Sequence, residues 1–567
     1  MLACQTKVYG NMTVHVPSST LFAHQRIKTG DMRAEFKELF RRVKKDFEEK
    51  HGKEPMINKI TLSLPQPTLD DNLSDFTRLK RAFKKETGRE RLLISHEQLI
   101  KLPQILRKND FQVSFYYVKE PGDVSKIVYL EEKPGQKTYA LAVDIGTTSI
   151  SACLIDAESE TIVREASCAN AQSQFGADVI NRIVYSTKRN GLKKLKDTVI
   201  QESLNPLIAE LAAKSDIQTD QIVVFSVSAN TTMTHLLLGV PSDDLRKEPF
   251  IPVFTETKDL LLKPSQLGLE INTDGLIVIS PNIASYVGGD ITAGVITAEI
   301  RESESFTVLI DLGTNGEIVV GNSDFLMTCA CSAGPAFEGG EISCGMRAAG
   351  GAIEKITIDP ESFEVSYRVI DGQTPTGICG SGIIDLISEL KKTGLIDAKG
   401  KFVKEKNCKR IEYDEYGIGR FLIASSVDDE QDKDIYISEI DIDNFIRAKG
   451  AVYSALVVLL DSMGFDFDMI ETIKIAGGIG SHIDIKEAIN IGLFPDIDPS
   501  KYEYIGNSSL IGSYVAALNK KAVDYMDDTA NNMTYVELSV HPGYMDEFIS
   551  ASFIPHTDLT RFPNHKG

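Results

Sequence analysis

Two segments of the chain place an acidic residue at the end of an apolar run and follow it with a glycine-threonine turn. Asp144 precedes Ile-Gly-Thr-Thr, Asp311 precedes Leu-Gly-Thr-Asn, and apolar residues resume after both turns. This pattern predicts two β-hairpins. Glycine lets the backbone approach a ligand closely, and the N–H groups and hydroxyls of such a turn can surround an anion. A carboxylate at the strand end is placed to hold hydrated Mg²⁺ beside phosphates.

A third glycine turn, Gly477-Gly-Ile-Gly480-Ser481, leaves another apolar strand and enters a helix-like segment. One such turn is a weak signal, and three unrelated glycine turns are the alternative. Two DxGT hairpins followed by a GGxG turn, in this order, resemble the superfamily of actin, sugar kinases and heat-shock chaperones. The resemblance implies that the first two turns clamp the phosphates of ATP and that the third carries the adenosine.

The same resemblance implies roles for individual residues, with ATP and Mg²⁺ as the expected cofactors. Asp144 and Asp311 would hold Mg²⁺ or position water, and Glu317 and Asp178 would orient the attacking water. The expected nucleotide-binding residues are Gly146, Thr147, Thr148, Gly313, Thr314, Asn315, Gly334, Glu338, Gly477, Gly478, Gly480 and Ser481. For Asp178 the alternative is a surface salt bridge to Arg182, one helical turn further on.

The composition restricts the classes of partner and compartment. The chain has 567 residues, with 61 Lys+Arg against 81 Asp+Glu and a net charge of −20, which argues against binding nucleic acid or an anionic membrane. No apolar run approaches the length of a membrane span. Eight cysteines in so long a chain do not form a disulfide framework, so we expect a cytoplasmic protein.

The first seventeen residues carry a second resemblance. Leu2-Ala-Cys4-Gln, followed by Asn11-Met-Thr-Val-His-Val-Pro17, is similar to the last cysteine and final strand of an adrenodoxin-type 2Fe–2S ferredoxin. Such a cluster needs four thiolates, and only the fourth, Cys4, is present in this pattern. We therefore expect no 2Fe–2S cluster unless the missing N-terminal segment is restored. The alternative is an incidental cysteine on a surface strand.

The expected fold class is α/β, a duplicated ribonuclease-H-like (actin-like ATPase) domain of two lobes preceded by a small α+β domain. The predicted organisation is a ferredoxin remnant (1–20), a linker helix (21–52), a small α+β domain (53–135) and the actin-like domain (136–567). The Lys/Arg run 78–91 is expected to be a solvated helix face, and 400–440 an exposed insertion. An apolar helix is predicted over 443–461.

Three cysteines follow the second hairpin, at Cys329, Cys331 and Cys344. Their spacing matches neither the usual zinc pairs nor a ferredoxin run, so small buried cysteines are the preferred interpretation over a metal site. His235, on an apolar helix face, is likewise interpreted as a core histidine rather than a metal ligand.

The strings Cys331-Ser-Ala-Gly-Pro-Ala-Phe-Glu338-Gly and Cys344-Gly-Met-Arg-Ala348 narrow the resemblance. Together with the ferredoxin remnant and the small α+β module, they look like the reductive activators of corrinoid proteins. This implies ATP-dependent return of cobalt(II) corrinoid to cobalt(I) for anaerobic methyl transfer, such as O-demethylation. The implied partners are a corrinoid protein and a low-potential electron donor, and a homodimer is expected.

Other classes share the predicted clamp. A small-molecule kinase would need a substrate-binding motif, which we do not find, and a remodelling ATPase would need no electron donor. Activators of radical acyl-CoA dehydratases carry a 4Fe–4S cluster bridging two subunits, and in that case Cys331 and Cys379 would be its expected ligands.

Overall fold

Strand β1 (Lys28–Gly30) and helix α1 (Ala34–His51) begin the described part of the chain. The computed structural model describes residues 28–30, 32–133, 135–426, 433–478 and 483–564. Helix α1 lies within the predicted linker helix (21–52). It buries Phe40, Val43 and Phe47, whose spacing places them on one helical face.

A small α+β unit follows, in which a four-stranded sheet packs against two helices. The sheet order is β2-β4-β5-β3, and β3 has only three residues. Arg78 is buried and bonds Asp71, so the prediction of a solvated face is wrong at that position. The elements are β2 (Asn58–Ser63), α2 (Asp75–Thr87), β3 (Arg91–Leu93), α3 (His96–Lys108), β4 (Gln112–Glu120) and β5 (Val124–Leu130).

The first lobe of the larger domain is a six-stranded sheet in the order β1-β8-β7-β6-β9-β10. Strands β6, β7 and β8 are antiparallel neighbours, whereas β9 and β10 run parallel to β6. The elements are β6 (Tyr139–Ile145), β7 (Ser149–Asp156), β8 (Ile162–Ala169), α4 (Val179–Ser186), α5 (Gly191–Thr198), α6 (Asn205–Lys214), β9 (Ile222–Ala229), α7 (Thr231–Leu238), α8 (Pro264–Leu267), β10 (Leu276–Ile279) and α9 (Gly289–Ala298).

The second lobe contains another six-stranded sheet, in the order β21-β20-β11-β12-β13-β22, and two three-stranded sheets. Its elements are β11 (Thr307–Leu312), β12 (Gly316–Gly321), β13 (Leu326–Cys331), β14 (Ala352–Ile358), β15 (Val365–Val369), β16 (Gly377–Ile378), α10 (Gly380–Lys392), β17 (Ile411–Tyr413), β18 (Gly419–Ala424), β19 (Ile435–Ser438), α11 (Glu439–Asp461), β20 (Thr472–Gly477), α12 (Ile485–Asn490), β21 (Tyr502–Gly506), α13 (Ser508–Leu518), α14 (Lys520–Asn532), β22 (Met533–Tyr535) and α15 (Tyr544–Ala551).

The two lobes repeat one topology. In each, an antiparallel trio (β6-β7-β8 or β11-β12-β13) is extended on its first strand by two parallel strands (β9-β10 or β20-β21). This order, third-second-first-fourth-fifth, confirms the duplicated ribonuclease-H-like fold. Both predicted hairpins are present, as β6-β7 and β11-β12.

The expectation of an exposed insertion over 400–440 is wrong. Strands β17, β18 and β19 form an antiparallel sheet whose Phe421, Ile435 and Ile437 are buried in the core of the second lobe. The charged side chains of this sheet include Arg420 and Glu412, which pair at 2.7 Å on its exposed face. Alternation of apolar and charged residues, and not a low apolar content, is therefore the relevant signal here.

Helices α9 and α13 cross where the lobes meet. Helix α9 follows the fifth strand of the first lobe, and α13 follows the fifth strand of the second. The crossing requires glycine, because a Cβ on Gly512 would lie 2.1 Å from the Ala293 carbonyl oxygen, and one on Gly294 would lie 3.0 Å from the Ser508 hydroxyl. The two backbones are thus as close as side-chain-free residues allow.

The N-terminal segment is tied to both lobes. Strand β1 pairs antiparallel with β8 at the edge of the first sheet. Helix α1 packs on the crossing region, with Phe40 against Tyr514 of α13 and Phe47 against Tyr525 of α14, at ring-centroid distances of 5.3 and 5.5 Å. Within the described ranges, no helix is long and apolar enough to span a membrane.

We expect Gly512→Ala to lower the free energy of unfolding by about 1–3 kcal/mol through overpacking of the helix crossing. The sign is diagnostic, because alanine otherwise favours a helix over glycine by up to about 1 kcal/mol. Urea denaturation followed by circular dichroism measures this change.

The matched control is Gly450→Ala in α11, where the added Cβ would meet only the Ser552 hydroxyl at 3.2 Å and neighbouring backbone at 3.4 Å. Equal stability of both alanine variants would contradict a glycine-dependent crossing.

Candidate functional site

Five carboxylates converge where the two lobes meet. They are Asp144 at the end of β6, Asp290 in the first turn of α9, Asp311 on β11, Glu317 on β12 and Glu338 after β13. Burial together with the charge of Asp144 raises the pKa of Asp311 to about 7. Burial and the charges of Asp311 and Asp144 raise the pKa of Asp290 to about 7 as well. Within the described chain, none of the five forms an ion pair.

The N-terminus of α13 supplies hydrogen bonds to this cluster. Asn507 donates to one oxygen of Asp144 at 2.8 Å, and Ser509 donates to the other at 2.9 Å. Ser508 donates to Asp311 at 3.3 Å. A helix of the second lobe therefore holds the key carboxylate of the first lobe, so the site depends on the arrangement of both lobes.

Strand register brings two acids face to face in the second hairpin. Asp311 lies directly opposite Glu317 in the β11-β12 ladder, whereas the residue opposite Asp144 in the first hairpin is Ser151. Burial and the charges of Asp290 and Asp311 raise the pKa of Glu317 well above its ordinary value. Like charges opposite each other are destabilising, which favours a functional reason for the pair.

The two glycine-threonine turns touch across the cleft. The hydroxyls of Thr148 and Thr314 lie 2.6 Å apart, which joins the first turn to the second. Behind the first turn, Asn170 donates to the Gly146 carbonyl at 2.9 Å, and Asn230 donates to the Thr147 hydroxyl at 3.2 Å. In the second turn, the Gly313 N–H donates to the Asn315 carbonyl at 3.0 Å.

The third turn lies against the second. Gly477 has a φ of +104°, and a Cβ there would lie 2.3 Å from the Leu312 carbonyl oxygen and 2.9 Å from an Asp311 oxygen, so only glycine fits. One oxygen of Glu338 would be 3.9 Å from a Cβ on Gly478 and 4.0 Å from one on Gly313. Glu338 therefore reaches the space between the second and third turns.

Gly334, with a φ of +75°, begins the short helical turn Pro335–Glu338 that carries this side chain. The second oxygen of Glu338 is buried and has no hydrogen-bond partner among the described residues.

Cys4, Gly480 and Ser481 lie outside the described residues.

The donor set fits a hydrated magnesium ion better than a directly bound metal. No group of three His, Cys, Asp or Glu side chains in the described chain is arranged to bind a metal ion. Mg²⁺ usually keeps several waters and takes only one or two protein carboxylates together with phosphates. The uncompensated charges of the cluster and the unpartnered Glu338 oxygen fit such an ion.

Asp178 is the N-cap of α4. One of its oxygens accepts from the Asn181 backbone N–H at 2.7 Å, and the other accepts from the Asn181 side chain at 2.6 Å. The alternative of a salt bridge to Arg182 is not formed, because that guanidinium is buried and donates to the Thr147 carbonyl.

Sequence reasoning missed Asp290 and the polar start of α13. Both share a signal, since a glycine precedes a polar residue at the start of a helix: Gly289-Asp290 in α9 and Gly506-Asn507 before α13. The repetition of this signal after the fifth strand of each lobe could have identified them.

The thiols after the second hairpin are packing groups. Cys329, Cys331 and Cys344 donate to three different backbone carbonyls, at 3.8, 3.3 and 3.8 Å, and burial raises the pKa of all three. His235 is a core histidine, since one ring nitrogen contacts the Thr231 carbonyl at 2.8 Å and the other accepts from the Val253 N–H at 3.1 Å. The expectations of buried cysteines and of a core histidine are confirmed for Cys329, Cys331 and His235, whereas Cys344 is only half-buried.

Comparison with known proteins finds matching family models and similar proteins. Family models described as "RACo linker region", "RACo middle region" and "C-terminal domain of RACo the ASKHA domain" match residues 48–138, 139–303 and 305–566. The "Corrinoid activation enzyme RamQ" of Eubacterium limosum is 33% identical over 428 residues, covering 74% of this chain and 70% of that protein. The chain belongs to the family of corrinoid-protein activators.

Two further relatives support this membership. The solved structure of a "Reductive activator for corrinoid,iron-sulfur protein" is 42% identical, with a TM-score of 0.83, and the match covers 90% of this chain and 81% of that one. A "[Co(II) methylated amine-specific corrinoid protein] reductase" of Methanosarcina barkeri is 23% identical over 423 residues, covering 70% and 73%. The predicted domain boundaries at 20, 52 and 135 stay predictions.

We expect Asp290→Asn to raise the thermal midpoint of the nucleotide-free, magnesium-free protein by about 1–3 °C, because it removes one of several buried like charges. Scanning calorimetry at neutral pH measures the shift. The control is Asp441→Asn, because the buried Asp441 accepts from the N–H groups of Ser343 and Ser438, both at 2.8 Å. This change should lower the thermal midpoint. A lower midpoint for Asp290→Asn would contradict charge repulsion in the cluster.

Proposed function

We propose that this chain binds and hydrolyses Mg-ATP between its lobes, and that it couples this cycle to the reduction of a corrinoid protein from cobalt(II) to cobalt(I). The observation that carries the proposal is the carboxylate cluster beside two glycine-threonine turns that touch through Thr148 and Thr314. Membership of the corrinoid-activator family supplies the partner class.

In this proposal the turns surround the phosphates, through Gly146, Thr147, Thr148, Gly313, Thr314 and Asn315. Mg²⁺, when bound, would neutralise phosphate charge. Asp144 and Asp311 hold its water shell, and Asp144 is oriented for this by Asn507 and Ser509.

Glu317, opposite Asp311, orients the attacking water, and Asp290 assists it. Gly334, Glu338, Gly477 and Gly478, with Gly480 and Ser481, form the nucleoside side of the site. Asp178 is left out of the reacting set, because Asn181 engages both of its oxygens.

Reduction of cobalt(II) to cobalt(I) takes one electron, and we propose that a separate low-potential donor supplies it. The role of ATP is to change the affinity for the corrinoid protein. A ligand shifts an equilibrium only by its differential affinity for the two states, so the activator must prefer one cobalt state in one nucleotide state. Docking that displaces an axial cobalt ligand would ease reduction, because axial ligands tune the metal's potential.

A homodimer and a cytoplasmic location belong to the same proposal and rest on resemblance and composition. The alternative of a dehydratase-type activator finds no support at its expected ligands. Cys331 and Cys379 are buried, and each donates at 3.3 Å to a backbone carbonyl of its own lobe.

We expect Asp311→Ala to abolish ATP hydrolysis while the fold stays intact, because the Asp311 carboxylate contributes charge to the site and little packing. Phosphate release measures activity, and circular dichroism measures folding. Asp359→Ala, at an exposed turn between β14 and β15, is the control and should keep full activity. Full ATPase activity in both Asp144→Ala and Asp311→Ala would refute the assignment.

We expect the chain to bind a cobalt(II) corrinoid protein in preference to its cobalt(I) or methylated form, with an affinity that depends on the nucleotide. Anaerobic titration of cobalt(II) corrinoid protein, with ATP present, should shift the cobalt(II) absorption spectrum. Sustained reduction should need an added low-potential donor. Absence of both a spectral shift and a nucleotide-dependent complex, with cognate candidates, would leave a generic ATPase.

A further inference from the structure

Arg182 is a fully buried arginine directly behind the first glycine-threonine turn. It lies on α4 and donates to the Thr147 carbonyl at 2.5 Å, to the Gly176 carbonyl at 2.9 Å and to the Gln172 side-chain oxygen at 3.3 Å. It also donates to the Met233 sulfur at 3.3 Å. The guanidinium therefore joins the turn, the segment before α4, and α7.

Among the described residues, no carboxylate bonds this guanidinium. None of its four hydrogen-bond acceptors is a carboxylate. Asp178, whose charge acts on it, turns both oxygens to Asn181. Burial lowers the pKa of Arg182 to about 10, so the group stays charged at neutral pH. A buried charge without a partner costs several kcal/mol, which calls for a reason to keep it.

A second buried arginine in the same chain has its charge balanced by a bonded carboxylate. Arg78 in α2 also donates to backbone carbonyls, those of Pro65 and Leu73, but it bonds the Asp71 carboxylate at 2.5 Å as well. Arg182 differs from it in two respects: no carboxylate in the described part of the chain bonds it, and it touches the turn that faces the carboxylate cluster.

We propose that Arg182 is a positioning residue for the nucleotide, which holds the Thr147 carbonyl in place and whose charge is balanced by the phosphates bound in front of that turn. The inference rests on the proposed ATP-binding function and deepens it. The turn lies between the guanidinium and the cleft, so Arg182 acts through the backbone and its field and does not touch the phosphates. In a low-dielectric interior such a charge acts over several ångströms.

The test separates the charge of Arg182 from its hydrogen bonds. Arg182→Gln keeps a donor for the Thr147 carbonyl but has no charge, and Arg182→Lys keeps the charge but loses the planar fork. Arg78→Met is the matched control, because it removes a buried arginine far from the cleft. Calorimetric titration with adenosine, ADP and ATP, each with Mg²⁺, gives the affinities, and steady-state hydrolysis gives KM and kcat.

We expect Arg182→Gln to weaken ATP binding by about tenfold or more, ADP binding by less, and adenosine binding little, because the loss follows the phosphate charge. KM should rise more than kcat falls. Arg182→Lys should keep the preference for ATP over adenosine, and Arg78→Met should leave all three affinities unchanged.

An equal loss for adenosine, ADP and ATP in Arg182→Gln would overturn the inference in favour of a structural role, and so would no loss at all. If Arg182→Gln does not fold, the Arg182→Lys variant decides the test. Loss of its preference for ATP over adenosine would also overturn the inference. Failure of the unaltered protein to bind ATP would instead refute the proposed function.

Discussion

The close crossing of α9 and α13 is the contact on which the two-lobed arrangement depends. Each helix follows the fifth strand of one lobe, and they meet at Gly294 and Gly512, where a Cβ on Gly512 would collide with the Ala293 carbonyl. The crossing also brings both helix N-termini to the carboxylate cluster, since the charges of Asp311 and Asp144 act on Asp290, and Asn507 donates to Asp144. A change in the angle between the lobes must move Asp290 on one helix and Asn507 to Ser509 on the other. The geometry of the site therefore depends on the angle between the lobes.

The carboxylate cluster destabilises the protein when no ligand is bound, and this repulsion explains why the cluster would favour a cation. Burial and mutual repulsion raise the pKa values of Asp290 and Asp311 to about 7, and no lysine or arginine of the described chain pairs with them. A cation with its phosphates would remove the repulsion, so that binding and closure become linked. Helix α1 lies against α13 and α14, next to this joint. A change in the angle between the lobes would therefore move helix α1, which leads toward the N-terminus.

Much of the fold was predictable because its signals are local. Both hairpins, the long apolar helix α11 and the linker helix follow from apolar runs, alternation and helical spacing within a few residues. The duplicated topology was implied by the family resemblance, which rests on the acid-glycine-threonine pattern that occurs twice. Errors arose where composition was used in place of pattern: the charged stretch 400–440 contains the buried strands β18 and β19, and Arg78 lies in the core of the small unit.

By itself the sequence identified the strand-end acids Asp144 and Asp311 and the glycine-threonine turns as the candidate site, and the family resemblance that they carry added Glu317. Only the tertiary structure decided which groups surround them. Asp290 and Asn507 lie 146 and 363 positions from Asp144 along the chain, and their arrival at the site depends on a helix crossing that no local pattern encodes. The same holds for Arg182, whose place behind the Thr147 carbonyl depends on the packing of α4 against α5 and α7. Local sequence sets backbone conformation, whereas proximity between distant residues is set by which surfaces pack together.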